Sequence, residues 1–279
     1  MQKKAIGFLY GQVGDAVMCS VAARNFKSLN PDVHLTFALG RKYANAIDLF
    51  RGLPYIDDFH VWDSIDGNLT ALDEQYIESN KFAKVFNPLA PHKQYDWFNH
   101  RHYIHETCDM LDIPFLGDYQ CELGYKPNQS FFGGNVVTTS LFSSGHDSSK
   151  APDYDTAVKV FKMIQGAGFK VVQIGSGDKD IDGALKASNL TLLEAVDAIS
   201  SSICHLTIDT AFSWIASAYN RPVVGLYGKN YAGMASGRQI SHNPYNRNAL
   251  YLNRESVKDI SAEEIFESVM KVIDDNLPY

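Results

Sequence analysis

The sequence predicts two α/β domains in tandem, each a doubly wound parallel sheet. Three observations carry this prediction. Short apolar runs alternate with amphipathic helical segments along the chain. The runs are β-branched and nearly continuous in apolar character, as strands buried on both faces require. The alternation is interrupted once, by a polar, proline- and glycine-bearing stretch at 126–135, and then restarts. The expected domains are residues 1–128 and 129–279, a division that suits a chain of 279 residues.

In the first half, Ala5–Tyr10 reads as a strand running into Gly11 and Gly14. From Asp15 the pattern is helical, with Met18, Ala22, Phe26 and Leu29 at one-face spacing until Asn30-Pro31. Val33–Leu39 is a strand and Tyr43–Phe50 a short helix. Phe59–Trp62 and Phe82–Phe86 are strands flanking a helix over Leu69–Ser79. His102–Leu111 is helical. In the second half, Val136–Leu141, Phe169–Ile174, Ile203–Ile208 and Pro222–Tyr227 read as strands. Tyr154–Gln165, Leu192–Ser200 and Ala211–Tyr219 read as helices. Ser261 and Glu264 form a capping box that opens a last helix, with Ile265, Val269, Val272 and Ile273 on one face.

Bulk properties narrow the function classes. The chain is 45% hydrophobic and 20% charged, ordinary globular usage. Its net charge is −7 with both halves acidic, which argues against an extensive nucleic-acid footprint. No apolar run approaches the ~20 residues that span a bilayer. Cys19, Cys108, Cys121 and Cys204 lack paired spacing and read as reduced core thiols, so a cytoplasmic location is expected.

Ligands of open parallel sheets sit beyond the carboxyl ends of the strands, so the loops there are the candidate site. The first such loop is Gly11, Gln12, Val13, Gly14 and Asp15. Its glycines permit close backbone approach, and the helix start offers free N–H groups. Asp15 reads either as a helix cap or as a general base. The second is Asp209, Thr210 and Ala211 with Trp214. It leads a strand into a helix and suits a diphosphate as well as it suits a simple cap. The third is 143–152, where Lys150 can meet phosphate as a point charge. The fourth begins at Gly175 and Ser176, a backbone platform for ribose or base. The Asp-x-Asp pattern at 178–182 is set aside as a metal site, and the histidines at 100, 102 and 105 read as a helix start rather than zinc ligands. No metal and no cofactor are expected.

Taken in order, these segments resemble glycosyltransferase family 9, the ADP-heptose:lipopolysaccharide heptosyltransferases. The resemblance rests on Gly14-Asp15-Ala16-Val17-Met18 with Ala22, Leu29, Pro31 and Asp32, and on Lys150-Ala151-Pro152. Its strongest part is Leu192–Gly228, with Leu193-Glu194, Asp209-Thr210, Arg221-Pro222-Val223-Val224 and Tyr227-Gly228. It implies the GT-B fold, two Rossmann-like domains facing a central cleft. It further implies metal-independent, inverting transfer from a nucleotide diphosphate sugar. The family's base falls on Asp15, its phosphate lysine on Lys150, and its phosphate-facing turn on Asp209-Thr210-Ala211.

Two positions depart from the family: Ala211 stands where it has glycine, and Trp214 where it has histidine. Trp214 is either core or a wall of the donor pocket, and the paired change at Ala211 favours the pocket. The implied partners are a nucleotide sugar donor and a saccharide or lipid-linked saccharide acceptor, with peripheral membrane contact. A protein or modified nucleic acid acceptor, a non-catalytic nucleotide- or sugar-binding module and an epimerase are the competing readings.

Overall fold

A computed structural model describes residues 3–9, 12–64, 69–86, 102–132, 134–142, 150–175, 181–182, 184–187, 189–228 and 243–276. The chain divides into two compact units, Met1–Tyr125 and Lys126–Tyr279.

Unit 1 runs β1 (Lys4–Leu9), α1 (Val13–Leu29), β2 (His34–Gly40), a 3₁₀ turn (Arg41–Ala46), α2 (Ile47–Phe50), β3 (Asp58–Trp62), α3 (Ala71–Asn80), β4 (Lys84–Phe86) and α4 (Tyr103–Met110). Its four strands are parallel in the order β3-β2-β1-β4. Strand order reverses at β1, so the switch point lies between β1 and β4. Helix α1 is buried over most of its circumference from Gly14 to Phe26, which accounts for its small and apolar residues. Leu29, expected on the buried stripe, is 49% exposed at the last residue of the helix.

Unit 2 runs β5 (Val136–Ser140), α5 (Tyr154–Gly166), β6 (Lys170–Ile174), β7 (Leu185–Ala187), α6 (Leu192–Ser201), β8 (Cys204–Ile208), α7 (Ala211–Ala218), β9 (Val223–Gly228), β10 (Ala249–Arg254) and α8 (Ala262–Asn276). Its six strands are parallel in the order β10-β9-β8-β5-β6-β7. The switch point falls between β5 and β8. One sheet face, with Val137, Cys204, Leu206 and Ile208, packs with α5 and with Ile265, Val269, Val272 and Ile273 of α8 into one apolar cluster. Ser261 Oγ accepts from Glu264 N at 3.1 Å and caps α8, as the sequence predicts. Gly225 is forced by its neighbours: a Cβ there would lie 2.7 Å from the Tyr251 ring and 2.8 Å from the Tyr227 ring.

The edge strands β7 and β10 are absent from the sequence reading. The first is three residues long with Leu185 60% exposed, and edge strands carry a weak apolar signal. All four cysteines are buried free thiols. Burial pushes the thiols of Cys108, Cys121 and Cys204 up to about 12, which leaves them unreactive.

Candidate functional site

In unit 1 the candidate base sits at the carboxyl edge of the sheet, beside its switch point. Gln12 is the N-cap of α1, and Asp15 occupies the third helical position instead of the cap. Gln12 N donates to Asp15 Oδ2 at 2.6 Å. The carboxylate therefore both satisfies a loose helix-end donor and complements the positive end of the helix dipole. Gly14 is buried beneath it and Val13 is half-buried, while Gly11 lies outside the described residues.

In unit 2, three of the expected segments come together at the switch point. Lys150 follows β5, and Asp209 follows β8. Lys150 Nζ lies 2.8 Å from Asp209 Oδ2, with side-chain exposures of 18% and 25%. The pair is partly withdrawn from water, so its attraction is less screened than that of an exposed pair. Thr210 is the N-cap of α7, with no capping bond from its side chain. Its carbonyl accepts from Ser213 N at 3.1 Å and from Ser213 Oγ at 2.7 Å. Among the described residues nothing accepts from the N–H groups of Ala211 and Phe212. Two open donors and a helix dipole thus lie beside an ammonium group, an arrangement that favours negative charge.

Gly175 closes β6 with φ +93°, a left-handed conformation that glycine adopts without strain. A Cβ there would meet the Phe212 ring at 3.1 Å. The end of β6 thus abuts the first turn of α7, and Gly175 joins the same group. Ser176 and the loop 143–149 lie outside the described residues. Trp214 is 4% exposed, so its indole is packed in the interior of unit 2.

Sequence reading missed the floor of this site. Thr138, Ser140, His205 and Thr207 are all buried, 0–2% exposed, on the sheet face opposite the apolar cluster. His205 Nδ1 is 3.0 Å from Thr138 Oγ1, and its Nε2 is 3.2 Å from Ser140 Oγ. Ser140 Oγ is 2.7 Å from Thr207 Oγ1, which is 3.3 Å from Thr210 Oγ1. Burial lowers the His205 pKa to about 3, so the ring is neutral. Tyr227 OH donates to Ser213 Oγ at 3.4 Å, and burial raises its pKa well above the usual value. The available signal was the period-two alternation Cys204-His205-Leu206-Thr207-Ile208, which sets polar residues on one face of a strand covered on both.

No protein-family model matches the chain, and no curated protein matches it in sequence. Solved structures do match. The glycosyl transferase family 9 protein from Veillonella parvula DSM 2008 is 13% identical at a TM-score of 0.76, over 99% of this chain and 98% of that one. E. coli ADP-heptose LPS heptosyltransferase II is 13% identical at a TM-score of 0.72, over 98% of this chain and 99% of that one. E. coli heptosyltransferase WaaC with ADP-2-deoxy-2-fluoro heptose is 11% identical at a TM-score of 0.62, over 99% of this chain and the whole of that one. At these identities the likeness is one of fold: the chain has the GT-B fold of the heptosyltransferases.

Proposed function

We propose that this protein is a glycosyltransferase that moves a sugar from a nucleotide diphosphate sugar to an acceptor hydroxyl. The observation that carries the reading is the meeting of Lys150, Asp209 and the open N–H groups of Ala211 and Phe212 at the switch point of unit 2. Such a cluster binds a diphosphate, and the fold likeness is to enzymes whose donor is a nucleotide sugar.

In the proposed reaction the Asp15 carboxylate takes the proton of the acceptor hydroxyl. The acceptor oxygen forms a bond to the anomeric carbon as the bond from that carbon to the phosphate oxygen breaks. The nucleoside diphosphate leaves with the bonding pair, its charge met by Lys150 and the start of α7. A single displacement inverts the anomeric centre. These donors supply the charge stabilisation without a metal ion. The acceptor is a saccharide, free or lipid-linked, and a lipid-linked one brings the protein to a membrane surface. Four buried free thiols suit a reducing, cytoplasmic setting.

A thermal-shift screen against ADP-, GDP-, UDP- and CDP-sugars tests the reading. A ligand at one hundred times its dissociation constant stabilises by about 2.7 kcal/mol, a rise of roughly 5 °C or more. The expected result is a shift with one nucleotide class, followed by slow release of that nucleoside diphosphate. No shift with any of the four overturns the reading. A product with an altered sugar and no new glycosidic bond makes the protein an epimerase.

A further inference from the structure

The buried hydroxyls beneath the phosphate site form one continuous chain, and counting protons fixes its direction. Each hydroxyl has one hydrogen to donate, and a neutral imidazole has one N–H. At the far end, Ser202 Oγ donates to the carbonyl of Ile199 at 2.8 Å. That carbonyl lies in the last turn of α6, where it also accepts from Ser202 N at 3.2 Å. Ser202 Oγ therefore accepts from Thr138 Oγ1 at 3.0 Å. With its hydrogen committed, Thr138 must accept from His205 Nδ1 at 3.0 Å.

The other ring nitrogen, Nε2, then carries the lone pair and accepts from Ser140 Oγ at 3.2 Å. Ser140 in turn accepts from Thr207 at 2.7 Å, and Thr207 accepts from Thr210 at 3.3 Å. A Thr207 hydrogen turned instead to the Ile208 carbonyl at 3.1 Å would leave Ser140 as the donor to Thr207. With the Thr138 hydrogen kept on Ser202, His205 would then need a proton on both nitrogens. An imidazolium fully enclosed by the sheet and helices, among hydroxyls and with no carboxylate partner among the described residues, is the costlier state.

We propose that Thr210 meets the ligand as a hydrogen-bond acceptor for a hydroxyl of the bound nucleotide sugar, and that His205 is the positioning residue that sets this polarity through Ser140 and Thr207. The inference rests on the reading of unit 2 as a nucleotide-sugar site. It divides the labour there. Lys150 and the N–H groups of Ala211 and Phe212 take the phosphate oxygens, which only accept. The outward lone pairs of Thr210 take a group that donates. A phosphate oxygen facing Thr210 finds no hydrogen, so the site distinguishes a sugar-bearing diphosphate from a bare one.

Two measurements test this. The first is long-range ¹H–¹⁵N correlation NMR on protein labelled at histidine, with His205 identified by its loss in His205→Gln. If that variant does not fold, displacement of the resonance in Ser140→Ala identifies it. The expected result is a neutral ring protonated on Nδ1 from pH 5 to 9. A proton on Nε2 reverses the chain and overturns the proposal. The second is calorimetric titration of Thr210→Val with inorganic pyrophosphate at pH 8.5 and with the nucleotide sugar that stabilises the wild type.

Pyrophosphate affinity is expected to stay within about twofold of wild type, while that for the nucleotide sugar falls about tenfold, and Thr210→Ser restores it. Equal losses for the two ligands mean that Thr210 donates to phosphate, and overturn the proposal. If the wild type binds pyrophosphate but no nucleotide sugar, the functional reading fails and the proposed ligand with it. The NMR result still reports the direction of the chain in that case.

Discussion

Lys150 Nζ sits 2.8 Å from Asp209 Oδ2, so the cation proposed to meet a phosphate is already engaged by the carboxylate at the next strand end. The pair holds a long, flexible side chain in one position. An incoming diphosphate shares the ammonium group, which has three hydrogens to give.

Lys150→Ala is therefore expected to weaken nucleoside diphosphate binding by about 10- to 100-fold, the range of a lost charge-assisted hydrogen bond. The residual affinity should depend less on salt. Isothermal titration at two ionic strengths measures both effects. Unchanged affinity would remove Lys150 from the site.

Asp15→Asn retains an oxygen that can accept from Gln12 N, the bond that closes the first turn of α1. Thermal stability should change by less than about 1 kcal/mol. Transfer should fall by about 10²- to 10⁴-fold, the usual loss with a general base. A variant that turns over like the wild type, measured by release of nucleoside diphosphate, leaves Asp15 with only its structural role.

Gly225→Ala is expected to destabilise unit 2 by about 1–3 kcal/mol, since its methyl group would run into the buried Tyr227 ring and the half-buried Tyr251 ring. A fall in urea midpoint without a change in slope would report this. A neutral result would mean that Tyr227 and Tyr251 yield easily.

His205 should make unit 2 acid-sensitive. Its pKa is about 3 in the folded state against an ordinary 6.5, so between these values the unfolded chain binds the extra proton. Its contribution is fully present above pH 6.5 and is lost as pH falls towards 3, at about 1.4 kcal/mol per pH unit. Chemical denaturation of the wild type from pH 7 to 4.5 should show this slope, and His205→Gln should flatten it. His60, whose pKa is also lowered by burial, adds a slope of the same sign in unit 1.

Much of this was legible in the sequence. The strands at 5–9, 34–40, 136–140 and 204–208 declare themselves through apolar runs that end in loops. The glycines and aspartates in those loops mark the carboxyl edges. Position within a cap was not legible: Asp15 reads as a cap residue, yet Gln12 holds that place and Asp15 answers it from the third position of the first turn. Gln is a poor cap by propensity, so only the backbone geometry reveals it. The pairing of Lys150 with Asp209 needed the strand order, which the sequence does not state. Neither His205 nor Thr207 stood out, because a single polar residue in a strand is ordinary until its neighbours across the ladder are known.

The apolar face of α8 completes the cluster that β5 and β8 begin much earlier in the chain. During synthesis, which runs from the amino end, β5, β6 and β8 leave the ribosome while the helix that covers them is still unmade. The half-built unit carries an open parallel sheet with one greasy face, and sheets of this kind close slowly because their partners are distant in sequence. The nascent protein is therefore most exposed to aggregation in the interval before α8 emerges. A substitution such as Val269→Asp, harmless to every residue of the site, would prolong that interval indefinitely and lower the yield of folded protein rather than its specific activity.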